Sequence, residues 1–356
     1  MNILNVTRKI LLIFGGLLLS FLTVESLTRI LIPQSVDPPR FAYNKKLGYI
    51  PTPNQRGRNI LFGTYDYSYT HNTQGLRSNK EYSYEKTTPR VLFLGDSFTY
   101  GVGVNDDETF PNLVQNYSKN KIETINAGNP GKGTDYALKF FQVMGNQLKP
   151  DIVAVIFFHN DFVDNGREEY FSVNSNGNLE PKSITEHKNF VSWLPGYDWF
   201  ISWSQFINFV KKEIVLFVFP SSSFPLLSIA SSTTAISYTK KDSTEYWITI
   251  TEKYIKSLKD KVENSKAKLI FFYVPDRLDV EQYRNNNQYS IEEQSISGLL
   301  KSLNIAFFSL TPIISESDNH IDKLYLSDRH WTAVSHRLAA QYIFQHLVNL
   351  LPHNVK

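Results

Sequence analysis

From residue 90 onward, short apolar runs alternate with longer stretches of helical period, and that alternation leaves few folds open. Residues 91–94, 121–125, 151–158, 268–274 and 305–310 are the apolar runs. Such segments, unbroken at 91–94 and nearly so at 151–158 and 268–274, fit strands that are buried on both faces. Between and after them, residues 109–117, 134–147, 244–264, 291–303 and 332–350 carry the helical pattern. Strands alternating with helices predict an α/β protein with a parallel, five-stranded, doubly wound sheet. Ligands of such sheets bind beyond the carboxyl ends of the strands, so the polar residues that follow each apolar run are the ones to inspect.

The amino terminus makes a separate argument. Residues 10–24 (ILLIFGGLLLSFLTV) hold no charge, and Arg8 and Lys9 precede them. Extended to Ile32, the segment reaches the ~20 residues that a bilayer needs and is interrupted only by Glu25 and Arg29. Those two stand four apart, the spacing at which a helix lets them pair near the far interface. A cleaved signal peptide would need a small-residue cleavage site, and ESLTRILIPQ after Val24 offers none, so an uncleaved anchor is the preferred reading. The positive-inside rule then puts Arg8 and Lys9 in the cytoplasm and everything beyond Pro33 on the extracytoplasmic side.

The chain divides accordingly into an anchor at 1–32, a linker with a small β-rich apron at 33–89, and a main domain at 90–356. The linker begins with the proline-rich PQSVDPPR, and the apron is Tyr-rich with alternating stretches such as residues 64–70. Residues 166–241, between the third and fourth strands, are too long for an ordinary connection and form an insertion. Its aromatic segment 199–219 reads as a helix packed on the domain, or else as a lid or a membrane-interface helix. Residues 221–234 form a Ser/Thr-rich loop. With no cysteine, the chain has no disulfide, thiolate metal site or Cys nucleophile. Net charge +3, without an arginine-rich run, gives no reason to expect a nucleic-acid partner.

Polar clusters follow the apolar runs. Ser97, in GDSFTYG after the first, offers a hydroxyl and a backbone N–H at a strand end, although a serine there also serves simply to cap a helix. NAGNPGKGT at 126–134 is either a tight turn or a backbone cradle for an anion, and it lacks both the P-loop and the dinucleotide spacing. Asn160, in HND after the third, is an uncharged donor suited to an oxygen that becomes negative, and equally an ordinary turn residue. Asp328 and His330, in SDRHW before the last helix, form a carboxylate–imidazole pair, and Asp318 with His320 repeats the spacing ten residues earlier. The later pair is preferred because it directly precedes a helix. His336 and His346 on the terminal helix read as surface or core-edge residues, and His71, His187 and His353 lack metal-ligand spacing, so neither metal nor cofactor is expected.

Taken in order, these blocks resemble those of the SGNH/GDSL hydrolase superfamily, over residues 90–351 outside the insertion. The resemblance implies a flavodoxin-like three-layer α/β/α fold and ester hydrolysis. It implies Ser97 as nucleophile, His330 as general base and Asp328 as its orienting partner. The backbone N–H groups of Ser97 and Gly131, with the Asn160 side chain, would form the oxyanion hole. Gly131 is chosen over Gly128 because the family's glycine stands five residues after the leading Asn of its block. Many members have Asp-x-x-His, which would put Ser327 at the acid position. The Asp-x-His found here is similar to the membrane-anchored and polysaccharide O-acetyl-modifying branches. His159 also departs from the small residue often found before the Asn.

The function expected from all this is that of a serine esterase acting by acyl-enzyme chemistry on an O-acyl, first of all O-acetyl, carbohydrate or on a lipid ester outside the cytoplasmic membrane. The alternatives are an O-acetyltransferase of an exported polysaccharide and a non-catalytic, membrane-anchored carbohydrate-binding or assembly protein.

Overall fold

A computed structural model of the chain describes residues 3–186, 197–218, 244–318 and 320–351. His187, His353 and the Ser/Thr-rich loop at 221–234 lie outside the described residues. The first element is helix α1 (Ile3–Leu31). Its hydroxyl side chains do not need water: Ser20, Thr23, Ser26 and Thr28 each donate to the carbonyl one turn back, at 2.8–2.9 Å. Between Val6 and Leu31 the helix is long and apolar enough to cross a membrane, by length and composition.

Two antiparallel hairpins come next: β1 (Phe41–Asn44) with β2 (Gly48–Pro51), and β3 (Arg56–Leu61) with β4 (Tyr65–Thr70). The segment after them is tied to the main domain by Arg77. Its buried guanidinium donates to the carbonyls of Tyr100 (2.9 Å), Gly101 and Val104 (2.6 Å), and pairs with Asp106 at 2.8 Å. Each carbonyl satisfied here belongs to the turn that follows Ser97.

The main sheet is built from β5 (Arg90–Gly95), β6 (Glu123–Gly128), β7 (Ile152–Phe158), β10 (Lys268–Val274) and β11 (Ala306–Ser309), in the order β11–β10–β7–β5–β6. All neighbours are parallel. Numbered from β5 this is the 2-1-3-4-5 order of flavodoxin-like folds, and the connections reverse direction between β5 and β7. Strand period sorts the side chains cleanly. Leu92, Leu94, Val153, Val155, Phe157, Leu269 and Phe271 face one core; Val91, Phe93, Ile152, Ala154, Ile156, Ile270 and Phe272 face the other.

Helices cover both faces. On the first lie α4 (Thr134–Phe140), α8 (Thr244–Asn264) and α10 (Ile291–Ser302). On the second lie α3 (Phe110–Tyr117), α9 (Arg277–Asn286), α11 (Thr311–Ser317) and α12 (Ala333–Leu350). Shorter helices start at the sheet's carboxyl edge: α2 (Ser97–Tyr100) after β5 and α5 (Asn160–Gly166) after β7. The insertion opens with a small hairpin, β8 (Phe171–Val173) and β9 (Leu179–Pro181), and continues through α6 (Tyr197–Trp203) and α7 (Gln205–Val218).

The structure moves some boundaries. The second strand runs to Gly128 instead of ending at 125, because Phe93, Leu94 and Gly95 continue the parallel pairing with Asn126, Ala127 and Gly128. So NAG belongs to the strand, and the loop begins only at Asn129. The helix expected over 134–147 leaves α geometry at Phe140 and continues as a π-turn, Phe141–Gly145. Helices α9 and α11 have no counterpart in the apolar periodicity.

Candidate active site

Three side chains from the carboxyl edge of the sheet meet. Ser97 is the first residue of α2, directly after β5, and Asp96 caps that helix by accepting from Phe98 N at 2.9 Å. The Ser97 hydroxyl is 2.9 Å from His330 Nε2, and His330 Nδ1 is 2.9 Å from Asp328 Oδ2. A carboxylate only accepts, so Nδ1–H donates to it and Nε2 presents its lone pair to the serine O–H. The tautomer is therefore set by the second contact. The Asp328–His330 pair is nearly enclosed, with 7% and 9% of their side chains exposed, whereas Ser97 remains partly open.

The backbone explains how residues two apart can pair. Arg329, between them, has φ +73°, in the left-handed region, which turns the chain sharply enough for both side chains to face the same way. A small loop is closed around it by Leu326 N to His330 O (2.8 Å), Arg329 N to Leu326 O (3.0 Å) and a bridge between Tyr325 and Trp331. Phe98 packs beside the imidazole, its ring centroid 5.5 Å from that of His330 and 5.2 Å from that of Trp331. From the apron, Thr64 at the tip of the β3–β4 hairpin shares a 2.6 Å hydrogen bond with Ser327. Ser327 is thus on the outside of this loop, and Asp328 is the acid that faces the histidine.

Two glycines let the site form. A Cβ on Gly95 would come within 2.4 Å of Thr99 Oγ1 and 2.7 Å of Ile156 O, and one on Gly128 within 2.1 Å of Tyr100 N. Only hydrogen fits where α2 is pressed into the groove between β5 and β6.

The other expected residues, Gly131 and Asn160, follow β6 and β7 at the same carboxyl edge. Gly131 is exposed on the loop after β6, at φ +72°. Asn160 begins α5, and its amide donates to Asp164 Oδ2 at 3.2 Å, one turn on, while Asp164 pairs with Arg167 at 2.8 Å. Asp164 was not anticipated; its signal was the i,i+4 spacing from Asn160 once a helix is placed there. Asp318 and His320 form a surface turn instead: Asp318 accepts from His320 N at 2.8 Å and from Lys323 at 3.0 Å.

Three further histidines, His336, His71 and His346, are held by packing and hydrogen bonds away from Ser97, and His159 lies with its ring 4.1 Å from that of Phe158. His336 is buried, stacks on Phe110, and accepts from Phe110 N at 3.3 Å; burial pulls its pKa down to about 3. His71 is buried too, donating through Nδ1 to Thr52 O (3.1 Å) and accepting the Tyr100 hydroxyl at Nε2 (2.8 Å), with its pKa pulled to about 4 by burial. His346 donates to Tyr342 O at 2.8 Å.

Several carboxyls on the segments that leave the carboxyl edge of the sheet are buried. Burial pushes Asp96 up to about 7, Asp135 to about 7 and Asp164 to about 6, and raises Asp161 well above the usual range. Among the described residues no group of His, Cys, Asp and Glu is arranged to hold a metal ion.

The sequence from 91 to 343 matches the GDSL-like Lipase/Acylhydrolase family. Similar solved structures include the lipase/acylhydrolase from Enterococcus faecalis, at 13% identity, covering 74% of this chain and 98% of that one, TM-score 0.41. Esterase EstA from a Pseudoalteromonas species is 13% identical over 73% of this chain and 97% of its own, TM-score 0.40. A two-domain esterase active on acetylated mannans is 14% identical over 74% of this chain and 50% of its own, TM-score 0.41. A comparison with curated protein sequences finds no match. By fold the chain is a flavodoxin-like α/β protein with a polar site at its carboxyl edge. The family match covers well over half of its 356 residues, and the chain belongs to the GDSL-like lipase/acylhydrolase family. It is an ester-hydrolysing enzyme.

Proposed function

We propose that Ser97 is the nucleophile, His330 the general base and Asp328 the group that fixes the His330 tautomer. The observation that carries this reading is the unbroken relay from hydroxyl to imidazole to carboxylate, with both links at 2.9 Å. As Ser97 Oγ attacks an ester carbonyl, its proton passes to His330 Nε2, and Asp328 stabilises the imidazolium. The oxyanion is held by the Ser97 and Gly131 backbone N–H groups and the Asn160 amide. The C–O bond then breaks, the imidazolium returns the proton to the leaving alcohol, and water activated by the same imidazole releases the acid from Ser97.

The substrate we assign is an O-acyl carbohydrate, in the first place O-acetylated, or a lipid ester on the extracytoplasmic side of the membrane. Support comes from α1, whose apolar surface suits a bilayer, with Arg8 and Lys9 at its amino end. In this reading residues 1–32 anchor the chain, 33–89 form linker and apron, and 90–356 form the catalytic domain with its insertion at 166–241. The test is hydrolysis of p-nitrophenyl acetate and of an O-acetylated glycan by wild type and Ser97→Ala. Loss of both activities in a folded variant is the expected result, and retained hydrolysis would dismiss Ser97 as nucleophile.

A further inference from the structure

The buried carboxylate of Glu25 has more partners than Arg29. It accepts Arg29 Nε at 2.7 Å, and it also accepts the Ser204 hydroxyl (2.8 Å), Gln205 N (2.9 Å) and Phe206 N (3.0 Å). Those last groups are the amino-terminal turn of α7, so a side chain of α1 caps a helix of the insertion, where a negative charge is favoured. The joint is reinforced by Arg29 donating to Trp203 O (2.5 Å) and by Gln34 N donating to Gln205 Oε1 (3.0 Å). Phe21 adds edge-on contacts, at 6.1 Å, to both Trp203 and Phe206.

This seat fixes a depth. If the hydrocarbon slab begins after Lys9, its ~20 residues end near Arg29, and Glu25 lies about 6 Å inside that edge at 1.5 Å per residue. A carboxylate there needs partners within the slab, and the end of α7 supplies them. Whatever is hydrogen-bonded to Glu25 shares its level. Trp199, one turn before Trp203 and edge-on against it at 5.4 Å, is nevertheless 61% exposed, and tryptophan is the side chain that membrane interfaces favour. We propose that α6 and the start of α7 lie in the extracytoplasmic membrane interface, held there by Glu25, with lipid as the partner of Trp199.

The consequence concerns the site. The insertion leaves the domain after β7 and α5 and returns at the start of α8, both at the carboxyl edge of the sheet. Seating it in lipid holds the edge that bears Ser97 close to the membrane, where an amphiphilic or surface-bound ester is presented. This rests on reading α1 as a membrane span, and the test separates the two.

The chain has no cysteine, so single-cysteine spin labels report without background. Labels would be placed at Gly16→Cys, where nothing lies within 4 Å of an added Cβ, at Trp199→Cys, and at exposed Lys301→Cys at the opposite end of the sheet. The full chain, in vesicles of phosphatidylcholine and phosphatidylglycerol, is then read by collision with oxygen against a water-soluble nickel chelate. The expected result is an oxygen preference several-fold higher at 16 and 199 than at 301. Adding Glu25→Ala returns the 199 label to the value at 301 and leaves 16 unchanged, with p-nitrophenyl acetate hydrolysis reporting a folded domain. Ser204→Ala, which removes one donor, gives a smaller shift and serves if Glu25→Ala does not fold. A 199 label resembling 301 while 16 favours oxygen overturns the proposal and leaves the anchor standing. If 16 also resembles 301, the anchor reading falls first. A 199 label shielded from both reagents overturns lipid in favour of a protein partner, and one unmoved by Glu25→Ala overturns Glu25 as the seat.

Discussion

A serine hydroxyl is inert until its proton has somewhere to go, and the groups around Ser97 divide that work so unevenly that each substitution has its own expected loss. Asp328→Asn keeps the shape but favours the tautomer with hydrogen on Nε2, so kcat should fall by ~10⁴-fold while the protein melts normally. If Asn160 is an oxyanion donor as proposed, Asn160→Ala should cost about 3 kcal/mol of barrier, roughly a hundredfold in kcat or more, with KM little changed. Asp164→Ala leaves that amide in place but removes the acceptor that holds it, so its kcat loss should be real and smaller than that of Asn160→Ala. Steady-state kinetics on one ester checks all of these, and equal losses for Asn160→Ala and Asp164→Ala would contradict a positioning role for Asp164. At this scale the meeting of three side chains was legible in the motifs: Ser97, Asp328 and His330 stand together, and the rival Asp318–His320 turn does not join them. It was silent on Asp164 and on the Thr64–Ser327 contact, because the first needs a helix start placed to the residue and the second joins segments 263 apart.

Elements decide whether these groups can meet. The turn that pairs Asp328 with His330 works only because Arg329 sits in the left-handed region, which costs a side chain ~1–2 kcal/mol. Arg329→Gly should therefore leave stability close to wild type and preserve activity. Arg329→Val, whose branched side chain tolerates that region least, should lower both, as chemical denaturation and kcat would show together. Gly128→Ala forces a methyl group against the backbone of α2, and overpacking of that kind costs ~1–3 kcal/mol. Because α2 carries Ser97, activity should drop more than stability does. Long apolar elements were legible before the structure: residues 244–264 and 268–274 appear as the helix and strand read from their pattern. The short helices α9 and α11 were not. Helix α9 is polar along much of its length and is started by an Asp276–Asp279 capping box, so it carries little apolar period to read. Strand β6 outran its apolar run because its last residues are fixed by pairing with β5, a long-range effect that no local window contains.

For the whole molecule, the buried titratable groups set the response to pH. Asp96, Asp135, Asp161, Asp164 and Glu293 are all raised by burial, so the folded state holds protons that the unfolded chain has lost above its ordinary carboxyl range. Their contribution is fully present below about pH 4 and is lost as pH rises through about 6–7. His71 and His336 act oppositely, since their depressed values favour the folded state only while the unfolded imidazoles are neutral. The carboxyls outnumber them, so thermal unfolding should occur at a higher temperature near pH 5.5 than near pH 8. An unfolding temperature that rises steadily with pH over that interval would show the buried carboxyls to be ionised in the fold. The overall architecture was readable from alternation alone, because a parallel sheet buried on both faces leaves unbroken apolar runs; the attachment of the insertion to α1 was not, because it depends on one carboxylate finding a distant helix end. The central claim is that Ser97 takes the acyl group. Mass spectrometry of the enzyme quenched during turnover of p-nitrophenyl acetate, followed by peptide mapping, tests it directly. The predicted result is an acetyl group on the peptide bearing Ser97 and none after Ser97→Ala; an acetyl group on another residue, turning over at the catalytic rate, would contradict it.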